Sequence, residues 1–210
     1  MRLLRAAATA ALVAISACAQ ATPTAPTAET MWKEFRRACW DIKGSNFDAK
    51  AIKAGWQPFE PEDGSYFAKQ REFARVEVAK VSNDIPKGSF SATDKLFTRR
   101  VGERSIYLWV APGTVQKDGD TYEIVTCSVL DPAAVEAIPE TSLSKLGGRP
   151  PERFGGELAI GYRWVPGLDN GQVNTVVMFV PLTAREQLAR LGVEMQGLVL
   201  KQQTITKIAK

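Results

Sequence analysis

Histidine is absent from all 210 residues. Its absence removes Ser-His-Asp triads, Cys-His dyads and every histidine-bearing zinc or iron site. Cysteine is scarce, with Cys18, Cys39 and Cys127 alone, and no two of them have the CxxC spacing of redox or metal motifs. No GxSxG, Walker A or GxGxxG pattern occurs, so the common nucleophile-elbow and phosphate-cradling loops are missing. Long apolar runs are also missing beyond the first twenty residues. The longest, 176–182, contains Pro181 and falls well short of the roughly 18 residues that a membrane-spanning helix needs.

An excess of one charge is lacking too, once its source is considered. Lys and Arg number 27 against 23 Asp and Glu, for a net +4. Two of the cations, Arg2 and Arg5, lie in a segment with no acid before Glu29, and removing that segment leaves 25 against 23, or +2. Acids and bases then alternate along the chain, which points away from nucleic acid as a partner. Apolar residues at 45% and aromatics at 9% are globular values, and they exclude a disordered or low-complexity chain.

What the sequence does contain begins with an address. Met1-Arg2-Leu3-Leu4-Arg5 is a basic start, and 6–15 is apolar. Small residues follow, completing the layout of a secretory signal peptide. As a helix the apolar stretch reaches about 15 Å, half a hydrocarbon core. Ile15-Ser16-Ala17-Cys18 resembles the bacterial lipobox, in which an aliphatic residue and two small residues precede a Cys that is lipidated and becomes the N-terminus. Ala17-Cys18-Ala19 and Ala19-Gln20-Ala21 would equally suit ordinary signal peptidase, which leaves a soluble periplasmic protein as the alternative. The short start and the following stretch, 19–28, favour lipidation at Cys18. That stretch has two prolines and no large apolar residue. It cannot join a core, and it favours extended polyproline II that reaches about 30 Å. The expected organisation is a lipoprotein-type signal peptide at 1–17, a Pro/Thr/Ala-rich tether at 18–28 and one α+β domain over 29–210. Ala19 rather than Asp after the Cys leans toward the outer membrane, as in lipoproteins generally.

With Cys18 lipidated or removed, Cys39 and Cys127 remain. An even pair in an oxidising compartment reads as a disulfide. Buried free thiols are the alternative.

Along the domain, Met31, Phe35, Ala38, Cys39 and Ile42 recur at helical spacing, predicting a helix over 30–43 with Thr30 as cap and Gly44 past its end. A short helix follows Ser45 or Asn46 and stops at Gly55. The stretch 56–64 reads as loop and 72–81 as strand. Strands at 96–101 and 105–111 flank Gly102-Glu103, a tight-hairpin signal, and Asp118-Gly119 marks a second turn before a β-rich 121–130. Asp131-Pro132 reads as a helix start for 133–138, and 142–146 as a turn before Gly147-Gly148. Another hairpin spans 157–165 and 172–180. Thr183-Ala184-Arg185-Glu186 reads as a capping box, and 197–204 as the last strand. Hairpins dominate, so the expectation is a mainly antiparallel sheet with helices on one face and the first helix tied by the disulfide.

Residues that could carry chemistry are few. Ser142-Leu143-Ser144-Lys145 matches SxxK, in which one helical turn brings an amine to a serine hydroxyl. The SxN and KTG elements that accompany it in penicillin-binding proteins are absent, and a surface turn is the alternative. Glu60, Glu62, Asp63, Asp118, Asp120 and Asp169 could supply a carboxylate pair for glycoside hydrolysis if two converged. The Asp118-Gly119-Asp120 and Asp169-Asn170-Gly171 runs lack calcium-loop spacing and read as turns. Tyr107 and Trp109 are two apart, as are Tyr162 and Trp164, so each pair shares a strand face. Exposed, they would form a platform for a sugar or peptide, with Arg149, Arg153 and Arg163 near; otherwise they pack the core. Trp32, Trp40 and Trp56 read as packing residues. The expected function is therefore an envelope lipoprotein with a non-enzymatic binding or scaffolding role toward another envelope component, protein or glycan. It needs neither cofactor nor metal, and meets the membrane through its lipid alone. A hydrolase of an envelope polymer, working through carboxylates or the Ser142–Lys145 pair, is the alternative.

Overall fold

The structure, a computed structural model, describes residues 25–43, 46–72, 90–92, 94–169, 171–191 and 195–208. Nine strands form one sheet. They are β1 (Gln57–Phe59), β2 (Phe90–Ala92), β3 (Lys95–Val101), β4 (Arg104–Lys117), β5 (Asp120–Asp131), β6 (Glu152–Gly155), β7 (Ile160–Trp164), β8 (Gln172–Val180) and β9 (Gly197–Ile208). Eight run in the order β1-β3-β4-β5-β9-β8-β7-β6, and β2 pairs with the far half of β4. Every pairing is antiparallel. The helices are α1 (Ala28–Cys39), α2 (Phe47–Lys53), α3 (66–72), α4 (Glu140–Gly147) and α5 (Arg185–Arg190), which a 3-10 turn at Leu182–Ala184 precedes. The fold class is thus α+β. No described helix is long and apolar enough to cross a membrane.

Turn chemistry sets the registers. Asp118 and Gly119 both have positive φ, 54° and 80°, the mark of a two-residue turn whose twist matches the flanking strands. That turn starts a ladder running from Lys117↔Asp120 to Tyr107↔Leu130. Strand alternation then sorts side chains onto two faces. On the first, one row crosses the sheet through Phe97, Leu108, Val129, Leu200, Val177 and Tyr162, all buried. Met31, Trp32, Phe35, Ala38 and Cys39 of α1, Phe47 and Ala51 of α2 and Leu143 of α4 join the same core.

Residues of α1, α2 and α4 belong to this first cluster, whereas α3 contributes to a second one. Phe67 of α3 packs with Leu96, Leu130 and Val199, and its ring lies 4.2 Å from that of Tyr107. These residues alternate with first-face neighbours and so belong to the second face. The physical reason is that the central strands are apolar on both sides: 127–131 of β5 are buried without a break. Such strands need cover on each face.

Cys39, the last residue of α1, is bonded to Cys127 of β5, with Cα atoms 5.6 Å apart. The helix starts earlier than Thr30. Thr27 is its cap, with the Thr27 hydroxyl accepting from Thr30 N–H at 3.2 Å. Gly44 and Ser45 lie outside the described residues; Asn46 precedes α2, and Gly55 follows it with φ +87°. The loop at 56–64 contains the edge strand β1. Of the strand expected over 72–81, residue 72 closes the described part of α3, and 73–81 lie outside it. The helix expected after Asp131-Pro132 is replaced by turns. Asp131 accepts from Ala133 N–H at 3.0 Å, closing an Asx turn. Ala134 and Ile138 are buried, and Pro139 biases the residue before it away from helix. The helical turn expected at 142–146 extends to α4, closed by Gly148 at φ +71°. Thr183, expected to open a capping box, lies inside the 3-10 turn, and the N-cap position of α5 is Ala184; Gly192 lies outside the described residues.

Candidate functional site

Three of the clefts on this scaffold are lined by described residues. One, of about 320 Å³, lies between residues 25–28, Met31 and the segment 134–139, with Arg104 and Asp131 among its lining residues. A second, of about 640 Å³, lies between α2, β1 and β3. Its charges are internally matched. Lys95 bonds Asp48, and Arg71 bonds Asp94 at 2.6 Å and Glu60 at 2.8 Å. Burial works against the Arg71 charge, but the bonds to Asp94 and Glu60 outweigh it and raise the pKa above the usual arginine value.

The third cleft, about 330 Å³, is different in kind. Helical spacing puts Trp32, Arg36 and Trp40 on one side of α1, and all three line it. Trp32 is buried and Trp40 half-buried. Their rings meet edge-on at 6.5 Å, and the Arg36 guanidinium sits 4.9 Å over the Trp40 ring, a favourable cation–π placement. The last turn of α4 brings Lys145 and Gly148 to the opposite wall, and the β7–β8 loop brings Leu168 and Asp169. Among the described residues neither Arg36 nor Lys145 has an ion-pair partner. Trp32 Nε1 is buried with no hydrogen-bond partner.

A buried polar chain holds two walls of this cleft together. Gln202 Nε2 donates to the Cys39 carbonyl, Gln172 Nε2 to Gln202 Oε1 at 2.6 Å and Thr175 Oγ1 to Gln172 Oε1 at 2.8 Å. Leu168 N–H reaches both Gln172 Oε1 and Thr175 Oγ1 at 3.2 Å. Strand register explains the assembly: Val110, Cys127, Gln202, Thr175 and Trp164 form one first-face row. The end of α1, pinned by the disulfide, is thereby tied through β9 and β8 to the loop that carries Asp169. Fully bonded buried networks of this sort specify a single arrangement.

The sequence-derived candidates are distributed as follows. Ser142 and Lys145 share one turn of α4, but only Lys145 reaches the cleft. The acids occupy three separate loops: Glu60, Glu62 and Asp63 before α3, Asp118 and Asp120 at the β4–β5 turn, and Asp169 at the cleft. Asp120 pairs with Lys207 at 2.6 Å. Tyr162 and Trp164 are buried in the first-face core at 8% and 1% exposure, and Trp164 Nε1 donates to the Arg149 carbonyl at 3.0 Å. Tyr107 and Trp109 lie half-buried on the second face, where Trp109 Nε1 donates to Asp94 at 3.2 Å. The two aromatic pairs are therefore on opposite sides of the sheet, and packing is the role seen for Tyr162 and Trp164. Arg163 forms a forked pair with Glu152 at 2.6 and 2.9 Å, which holds the Glu152 carboxyl below its usual range. Arg149 donates to the Pro166 carbonyl.

Lys201 was not singled out in the sequence. It lies on the second face, opposite Ser128 on one side and Val176 on the other. Burial lowers its pKa below the ordinary lysine value. Because the folded value is depressed, the unfolded chain binds the extra proton. Stability should therefore rise with pH through the window below 10.5 and be lost again as pH falls through the folded value. Lys201→Met should flatten that rise and stabilise the protein at neutral pH; urea unfolding from pH 7 to 10.5 checks it, and identical slopes in both proteins would contradict it.

Comparison with protein-family models, with curated proteins and with solved structures finds no match to this chain.

Proposed function

We propose that the protein is an exported envelope lipoprotein, anchored through Cys18, whose domain binds another component of the envelope. The observation that carries this reading is the run Ile15-Ser16-Ala17-Cys18 followed by a Pro/Thr/Ala stretch. That stretch gives way to amphipathic sequence at Thr27, the residue that caps α1. The last two residues of that stretch, Thr27 and Ala28, already belong to α1 and its cap, which would leave 18–26 as the tether. The Cys39–Cys127 bridge fits an oxidising compartment. Acyl chains on Cys18 would hold the domain within about 30 Å of a bilayer, with Ala19 directing it to the outer membrane. Helices packed against the sheet and a disulfide-tied first helix would give that domain a rigid body for scaffolding. The hydrolase alternative has less support from placement: Lys145 shares a cleft with Asp169, but Ser142 does not line it and the other candidate acids lie in two separate loops.

Cys18→Ser should abolish palmitate labelling and move the protein from the membrane to the soluble envelope fraction. Photo-crosslinking in intact envelopes should recover a partner with the parent protein and markedly less with the variant. Unchanged membrane association of Cys18→Ser would sink the anchoring.

A further inference from the structure

We propose that the cleft between α1, the end of α4 and the β7–β8 loop binds an acidic saccharide. The ligand class follows from three features of the walls. Trp40 is half-buried and lines the cleft with the Arg36 guanidinium over its ring; with Arg36 turned toward a ligand's carboxylate, the indole would offer a surface to the apolar C–H face of a pyranose ring. Arg36 and Lys145 line the same space, and among the described residues Asp169 is the only acid lining it, leaving these charges net positive. Neither cation is matched by an ion pair among the described residues, in contrast to the larger cleft, where Arg71 and Lys95 are both neutralised. A guanidinium and an ammonium without partners suit a carboxylate that is planar and can be reached from two sides, while an aspartate suits sugar hydroxyls. At about 330 Å³ the space is at the small end of ligand pockets, and it fits one or two sugar rings rather than a long chain.

Preorganisation is the fourth feature. The chain Cys39–Gln202–Gln172–Leu168 fixes the loop wall against α1 before any ligand arrives, so little ordering remains to be done on binding. Arg36 rests on Trp40 at 4.9 Å, close enough to turn its guanidinium toward an incoming carboxylate. A neutral sugar would find the ring but leave both cations unmatched, and an acidic peptide would find the cations but not the stacking geometry.

This inference rests on the binding role proposed above, and it fails separately from the anchor. A soluble Cys18→Ser protein would still show the cleft's affinity, while a null titration would leave lipidation standing. The test is isothermal titration of the processed full-length protein with four probes: N-acetylglucosaminyl-N-acetylmuramic acid, trigalacturonate, neutral chitotriose and a glutamate-rich peptide. At least one of the acidic saccharides should bind, with chitotriose and the peptide weaker by about tenfold or more. Arg36→Gln/Lys145→Gln, which changes two exposed side chains, should fold normally by circular dichroism and lose about tenfold or more in affinity. Lys33→Gln, also exposed on α1, should bind as the parent does. The proposal is overturned if neither acidic saccharide binds, if chitotriose or the peptide binds as well as they do, or if Arg36→Gln/Lys145→Gln retains full affinity.

Discussion

Cys39→Ser and Cys127→Ser should each destabilise the protein by about 4–5 kcal/mol on the chain-entropy account. The bridge spans a sequence separation of 88, and a loop that long has much freedom to lose. Strain and residual structure commonly reduce the effect to about 2–4 kcal/mol, still a large share of an ordinary stability of about 5–15 kcal/mol. The two single variants should resemble each other and the double variant, because each removes the same link. The cost should also appear at a distance. The Cys39 carbonyl accepts from Gln202 Nε2, so losing the disulfide should loosen the chain that reaches Leu168. Urea unfolding, with hydrogen exchange at Leu168 N–H, measures both effects. A loss below about 1 kcal/mol would show that packing of Phe35, Met31 and Trp32 alone seats α1.

Arg104→Met should cost about 3 kcal/mol, the low end for breaking a buried ion pair. Arg104 bonds Asp131 at 3.2 Å, with side chains 17% and 3% exposed. Deleting the guanidinium leaves a buried carboxylate whose remaining bond is from Ala133 N–H. That bond is why the low end applies. Asp131→Asn on the Arg104→Met background removes the stranded charge and should recover a good part of the loss, a coupling that a double-mutant cycle reads directly. Thermal midpoints should move by about 2–4 °C per kcal/mol for a domain of this size. Additive losses in the cycle would contradict the pairing.

Local signals carried the hairpins. Gly102-Glu103, Asp118-Gly119 and the paired runs around them state their turn chemistry within a few residues, and β3, β5 and β8 lie within a residue of the expected runs, whereas β4 continues past 111 to Lys117 and β7 starts at Ile160 rather than 157. The disulfide was also legible, since setting Cys18 aside leaves Cys39 and Cys127 as the one possible pair. Long-range effects were not. Asp131-Pro132 has the form of a helix start, but a carboxylate already engaged by Arg104, 27 residues away, and a buried Ile138 shape that segment instead. The second-face role of α3 depends on which strands become central, and no window of sequence reports that.

The cleft was hidden for the same reason. Trp32 and Trp40 read as packing residues, and Trp32 does pack; the Arg36 between them gave no signal of its own. Its significance comes from Lys145 and Asp169, more than a hundred residues away, which only the sheet order brings alongside. Tyr162 and Trp164 illustrate the reverse case. Two aromatics on one strand face suggested a platform, but the face is the one that α1 covers. Gln172 and Gln202 look like surface residues in isolation, and their buried partnership follows from the β8–β9 register alone.

The central claim, export and anchoring through Cys18, is tested most directly by mass spectrometry of the N-terminal peptide from the protein isolated from its own envelope. The account predicts a chain beginning at Cys18 and carrying a thioether-linked diacylglyceryl group. An unmodified N-terminus at Gln20 or Thr22 would contradict it.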